Sequence, residues 1–296
     1  MMRNWVVGLA AVLLVPALPA QQAPSYKVGV PSESGDIVTW LTPGAGTLTV
    51  DRVVPVGIMP ADIDGPHNIT TAPDRKSYYV SIAHGTPYGS LWRLDAATDT
   101  LIGRAPVEFY PTTISISPDG ELAFVANSDF YGDRPRDNVV SVIYTPSMTK
   151  ITDVPVCDMP HGVKVNHAGS KIFISCMHSD EILEMDIGTF AITRRGQTGT
   201  GMAAMAGMAG MDHGAGATHG PATSHGPAPV RAGAVTTTKP AHEGSCAPTF
   251  VSVSRDDARL YVACNDAGTV QVWDAVTLTP RSEIPVGHGA YNVEPS

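Results

Sequence analysis

Three features of the chain predict an all-β fold, a β-propeller of four-stranded antiparallel blades. A short motif returns at intervals of 45, 49, 88 and 42 residues, each return is filled with β-branched and aromatic runs, and the same turn chemistry closes those runs. The openings read Pro66-His-Asn-Ile69, Pro111-Thr-Thr-Ile114, Pro160-His-Gly-Val163 and Pro248-Thr-Phe-Val251, with a fifth beginning at Ala290-Tyr-Asn-Val293. The long interval is one repeat plus a low-complexity insert over 201–244.

Each unit reads as four strands. The opening leads into an alternating stretch such as Thr112 to Ser117, and Pro118-Asp119-Gly120 then turns the chain. Proline presets φ at the first turn position and glycine tolerates a positive φ at its end, so the turn closes a hairpin. A second strand follows, Leu122 to Ala126 in that unit. The third runs are Leu91 to Leu94, Val139 to Ile143, Ile182 to Met185 and Val270 to Trp273. Three of them end in Asp-x-x-Thr (Asp95 to Thr98, Asp186 to Thr189, Asp274 to Thr277), whose carboxylate and hydroxyl are placed to bond nearby backbone N–H groups. A fourth run, such as Ser282 to Val286, completes the unit, and no 3.6-residue period competes with this reading.

These units resemble the YVTN-type repeats of exported bacterial propellers, in Leu260-Tyr-Val-Ala-Cys-Asn265, Val272-Trp-Asp-Ala-Val-Thr277 and Ile284-Pro-Val-Gly287. The resemblance runs from Tyr26 to the end except for the insert. It implies a fold and no particular activity, because such a scaffold hosts many tasks. Propellers of this type usually close with seven blades, whereas this chain supplies about five. Tyr26 to Asp64 lacks an innermost strand, and Ser296 falls just before a hairpin turn. The expectation is therefore a ring truncated from seven blades. The alternative is that Tyr291 to Ser296 supplies the missing strand beside Tyr26 to Val30 and closes a five-bladed ring.

The N-terminus has the layout of a secretory signal over 1–20: Arg3, an apolar stretch from Trp5 to Val15, and small residues to Ala20. That stretch is too short to span a bilayer, so the mature chain is expected to have no transmembrane segment and to be periplasmic or secreted. Propeller blades are then expected over 26–200 and 245–296, either side of the insert. A formal charge of −9 with only 19 Lys and Arg argues against a nucleic-acid partner. Acidity names no other, and the physiological ligand, a protein or a small molecule, stays open.

Cys176 and Cys264 each lie 16 residues after an opening proline, while Cys157 and Cys246 lie just before those prolines. The entrance of one strand sits beside the exit of the next in an antiparallel hairpin, so Cys157 with Cys176 and Cys246 with Cys264 are expected neighbours. An oxidising compartment favours two disulfides, thiolate ligation of a metal is the competing reading, and spacing alone leaves three pairings open.

Two sets of residues suggest metal chemistry. In the insert, Met202, Met205, Met208 and Met211 recur every third residue and are followed by His213, His219, His225 and His242. Thioethers suit Cu(I) and imidazoles suit either copper oxidation state. The segment resembles the methionine- and histidine-rich stretches of periplasmic copper-resistance proteins, which implies copper binding; the bland reading is a flexible linker. In the repeats, His67 and His161 follow the opening proline, and His288 lies two residues before Ala290. His84 and His178 fall 18 residues after their opening prolines, a slot taken by Asp129 and Asp266 in the other units. All are expected on one rim of the central channel, as metal ligands or as structural hydrogen-bonding groups.

No nucleophile elbow, phosphate loop or haem-attachment motif is present. The reading is an exported binding or scaffold propeller, copper-binding through its insert. The alternative is a hub-site metalloenzyme, a lactonase-like hydrolase or a copper oxidoreductase, that uses the rim histidines.

Overall fold

The computed structural model describes residues 26–58, 63–84, 89–128, 130, 137–199 and 244–295. The expected signal peptide over 1–20 and residues 201–243 of the insert lie outside them. The described residues form five antiparallel sheets arranged as propeller blades. The first has three strands, β1 (Val28–Ser32), β2 (Ile37–Pro43) and β3 (Leu48–Pro55). The other four have four strands each. They comprise β4 (Pro66–Thr71), β5 (Ser77–Ile82), β6 (Ser90–Asp95) and β7 (Leu101–Pro106); then β8 (Pro111–Ile116), β9 (Leu122–Asn127), β10 (Val139–Tyr144) and β11 (Thr149–Pro155). Next come β12 (Pro160–Val165), β13 (Lys171–Cys176), β14 (Glu181–Asp186) and β15 (Ile192–Gln197), and finally β16 (Pro248–Val253), β17 (Arg259–Cys264), β18 (Thr269–Asp274) and β19 (Thr279–Pro285). Among the described residues no helix is long and apolar enough to cross a membrane.

The turn chemistry works as the sequence implies. Asp95 accepts from the backbone of Ala97 and Thr98, and Asp186 and Asp274 do the same for Thr189 and Thr277. Both faces of the middle strands are buried, which explains runs such as Tyr78-Tyr79-Val80. Successive side chains point to opposite sides of the sheet, so Tyr78 and Val80 pack on the first blade while Tyr79 packs on the third. The core is accordingly four layers, one between each neighbouring pair of blades.

The innermost strands β4, β8, β12 and β16 pack side by side. Side chains stitch them, in place of a continuous backbone ladder. Ser81 Oγ donates to the Thr112 carbonyl at 2.7 Å, and Thr112 and Thr113 both donate to the His161 carbonyl at 2.8 Å. Thr113 Oγ1 also accepts from the Val163 N–H at 2.8 Å. The C-terminal segment continues this pattern: Thr249 Oγ1 donates to the Tyr291 carbonyl at 2.8 Å and Ser252 Oγ to Glu294 at 2.8 Å. It therefore lies beside β16 where a further innermost strand would lie. It forms no ladder with β1, which pairs with β2 alone among the described residues, so the pairing that would close a five-bladed ring is not observed.

Register places Pro160 opposite Cys176, Cys176 opposite Glu181 and Glu181 opposite Gln197, and the other blades repeat this. All innermost strands thus begin on one face, here called the rim face. Connections on the opposite face are four or five residues long. Every longer one, 56–65, 83–89, 128–138 and 198–247, leaves from the rim face. Both disulfides sit there too, Cys157–Cys176 and Cys246–Cys264, each within its own blade, and no cysteine is free.

Candidate functional site

The rim face gathers a polar cluster at the hub, built from one repeat position. The residue after each opening residue is His67, Thr112, His161, Thr249 or Tyr291, so the inward bend of each blade brings these five to the same ring. The residue before each opening, Gly65, Tyr110, Met159, Ala247 or Gly289, has a positive φ between 47° and 77°. Its carbonyl, in four of the five, accepts from the residue just after the second strand: Ala83, Ser128, Met177 and Asn265. This bent link holds the opening residues against the strand exits and carries Tyr110 to the rim.

His161 is buried, and its Nδ1 lies 2.7 Å from the Thr249 carbonyl. A carbonyl only accepts, so Nδ1 carries the proton and Nε2 is left with a lone pair. The Tyr291 hydroxyl, 2.9 Å away, donates to that lone pair. The same hydroxyl oxygen stands 3.3 Å from His67 Nε2 and accepts from it, which leaves His67 Nδ1 deprotonated. That atom is sealed from solvent and has no hydrogen-bond partner. The two imidazole rings are 5.3 Å apart, centroid to centroid.

A second network adjoins the first. Glu33 Oε1 accepts from His84 Nε2 at 2.8 Å and from the Tyr110 hydroxyl at 2.9 Å. Tyr110 packs edge-on to His67 at 5.8 Å and His84 at 5.2 Å and stacks on Phe130 at 4.7 Å. The charge pattern follows from these contacts. Burial, and then His67 beside it, pushes the His161 imidazole down to about 3, and burial holds His67 below its ordinary value against the pull of Glu33. The His84 hydrogen bond keeps the Glu33 carboxyl below the usual range, and burial raises Tyr291 to about 12. At neutral pH Glu33 is therefore an anion, and His67, His161 and Tyr291 are neutral.

Of the five rim histidines expected from the repeats, His67, His84 and His161 come together. His178 pairs with Asp158 at 3.8 Å. His288 is exposed, in the turn after β19, with its backbone against Gly268. The turn after β19 places it before the bend into the hub. Asp129 and the insert ligands Met202, Met205, Met208, Met211, His213, His219, His225 and His242 lie outside the described residues. Among the described residues no three His, Cys, Asp or Glu side chains converge as a metal-holding set. Sequence reasoning missed Glu33, Tyr110 and Tyr291. Tyr291 was available from the repeat, since it shares the register position of His67 and His161.

No family model matches the sequence, and no curated protein matches it. Among solved structures, the hydrazine synthase of Kuenenia stuttgartiensis is similar with a TM-score of 0.54 at 20% identity, covering 78% of this chain and 53% of that one. The chain thus spans about half the length of that neighbour, and the likeness is one of fold alone.

Proposed function

We propose that this chain is an exported binding module of the YVTN-type propeller class that works through its rim face and takes up copper there through the Met/His-rich stretch 201–244. One observation supports this reading: described residues on either side of that stretch meet on the rim face at a single residue. Thr198 N–H donates to the Asp180 carbonyl at 2.7 Å, and Ala247 N–H donates to the Asp180 carboxylate at 2.7 Å. Thr198 and Ala247, the described residues before and after the stretch, thus lie on the face that carries the hub cluster and every long connection. Loops held by a rigid scaffold are where binding residues concentrate. The two disulfides, which persist in oxidising compartments, support the exported location.

Titration with Cu(I) under reducing conditions tests the reading. Removing residues 201–244 is expected to abolish most of the bound Cu(I) and leave the far-UV circular dichroism of the propeller unchanged. Undiminished stoichiometry in the folded deletion would overturn it.

A further inference from the structure

We infer that His67, His161 and Tyr291 are three ligands of a hub-mouth site for a first-row transition-metal ion, Cu(II) being the ion that fits it best. The site stands on residues other than those of the 201–244 stretch and does not depend on it.

Two imidazole Nε2 atoms converge on one phenol oxygen, at 2.9 Å and 3.3 Å. Ligands bound at about 2.0–2.1 Å are separated by roughly 2.9 Å when they subtend a right angle and roughly 3.3 Å when tetrahedral, so both separations fit one shared ion. Two imidazoles sharing an ion through Nε2 place their ring centres about 5 Å apart, and here the separation is 5.3 Å. His161 has the outer partner that metal-bound histidines have: its Nδ1–H is fixed on the Thr249 carbonyl, which aims the Nε2 lone pair at the hub. Imidazole nitrogen and phenolate oxygen suit Cu(II), which heads the affinity order of the divalent first-row ions for such ligands.

The ion-free arrangement is a hydrogen-bonded placeholder for the same geometry. Binding removes the Tyr291 hydroxyl proton to solvent, making a phenolate ligand. It also moves the His67 proton from Nε2 to Nδ1, so one proton is released per ion and no electron is transferred. The shift at His67 breaks no bond except the one to Tyr291, because Nδ1 has no partner to lose. The Glu33 carboxylate, held by His84 and by Tyr110, whose ring packs on His67, supplies a negative charge beside the site. Tyr291 is half-exposed.

The test is Cu(II) alone, added to the full chain. A tyrosinate-to-Cu(II) charge-transfer absorption saturating at one ion per chain is expected. The 201–244 stretch contains no tyrosine, so it cannot produce this band, and deleting it is expected to leave the band in place. Tyr291→Phe removes one oxygen from a half-exposed side chain and is expected to abolish the band; His67→Asn is expected to abolish it as well. Absence of the band in the wild-type protein, or its survival in Tyr291→Phe, would overturn the inference. Loss of Cu(I) binding in the deletion, or its retention, bears only on the role of the stretch.

Discussion

Replacing Thr113 by valine is expected to cost more than twice what the same change costs at Thr112, although the two threonines are adjacent, both buried, and donate to the same carbonyl. The asymmetry lies in what each change leaves behind. Thr113 Oγ1 is the acceptor for the buried Val163 N–H, so valine there strands a donor between blades, at a penalty of about 1–3 kcal/mol added to the lost hydrogen bond. Thr112 only donates, to the carbonyls of His161 and Ala126. After Thr112→Val the His161 carbonyl still receives Thr113, and Ala126 stays in register with Val140, so no buried group is orphaned. The expected losses are about 2–4 kcal/mol for Thr113→Val and about 1 kcal/mol for Thr112→Val. Urea unfolding followed by fluorescence of the buried Trp92 and Trp273 reads both, with unchanged m-values as the check that the native state is the same. Equal losses, or a larger one at Thr112, would refute the account of side chains stitching the hub.

Other expectations concern the blades. Burial pushes the Glu184 carboxyl up, but Arg194, Thr193 and Lys171 together hold it below the ordinary glutamate value. The unfolded chain then binds a proton there before the folded protein does, so this contribution is full above about pH 4.5 and fades as acid titrates the folded group. Glu184→Gln is expected to flatten the stability profile below pH 4.5, and an unchanged acid limb would contradict this. A Cβ at Gly196 would lie 2.5 Å from the Trp273 ring and 3.2 Å from the Leu278 carbonyl oxygen. Gly196→Ala is expected to cost about 1–3 kcal/mol by overpacking the last blade interface, with a shift in Trp273 emission. Peptide mapping without reduction should recover Cys157 linked to Cys176 and Cys246 to Cys264, and losing either bond should cost about 3 kcal/mol in denaturant unfolding. Recovery of Cys176 linked to Cys264 would contradict the blade-by-blade pairing.

The blades were legible because their signals are local and repeated. Runs such as Leu122 to Ala126 and turns such as Pro118-Asp119-Gly120 lie within a few residues of their partners, and β9 and the turn before it follow them closely. Cysteine neighbours were legible for the same reason, through hairpin register. The hub was legible only in part. His67 and His161 announce themselves by type, but the oxygen that joins them lies 224 and 130 residues away in sequence, on a tyrosine that ordinarily reads as packing. Glu33 reaches Tyr110 across 77 residues and two blades. His288 shows the opposite failure: its spacing resembles that of the other histidines, yet no chain bend turns it inward.

The contrast between the two faces has an evolutionary consequence. Connections of four or five residues leave one face no slack, whereas the rim accommodates an interval of some 50 residues between β15 and β16. Lengthening such a link from four residues to about 50 costs roughly 2 kcal/mol in closure entropy, because the penalty grows only with the logarithm of length. The two disulfides fall in the two blades that this link joins, and each closes a separation of 19 or 18 residues, worth about 3 kcal/mol. The stapled blades are thus the ones that tolerate the largest graft. A lineage carrying this scaffold has room to exchange rim segments for new ligand chemistry while the layers between blades stay as they are.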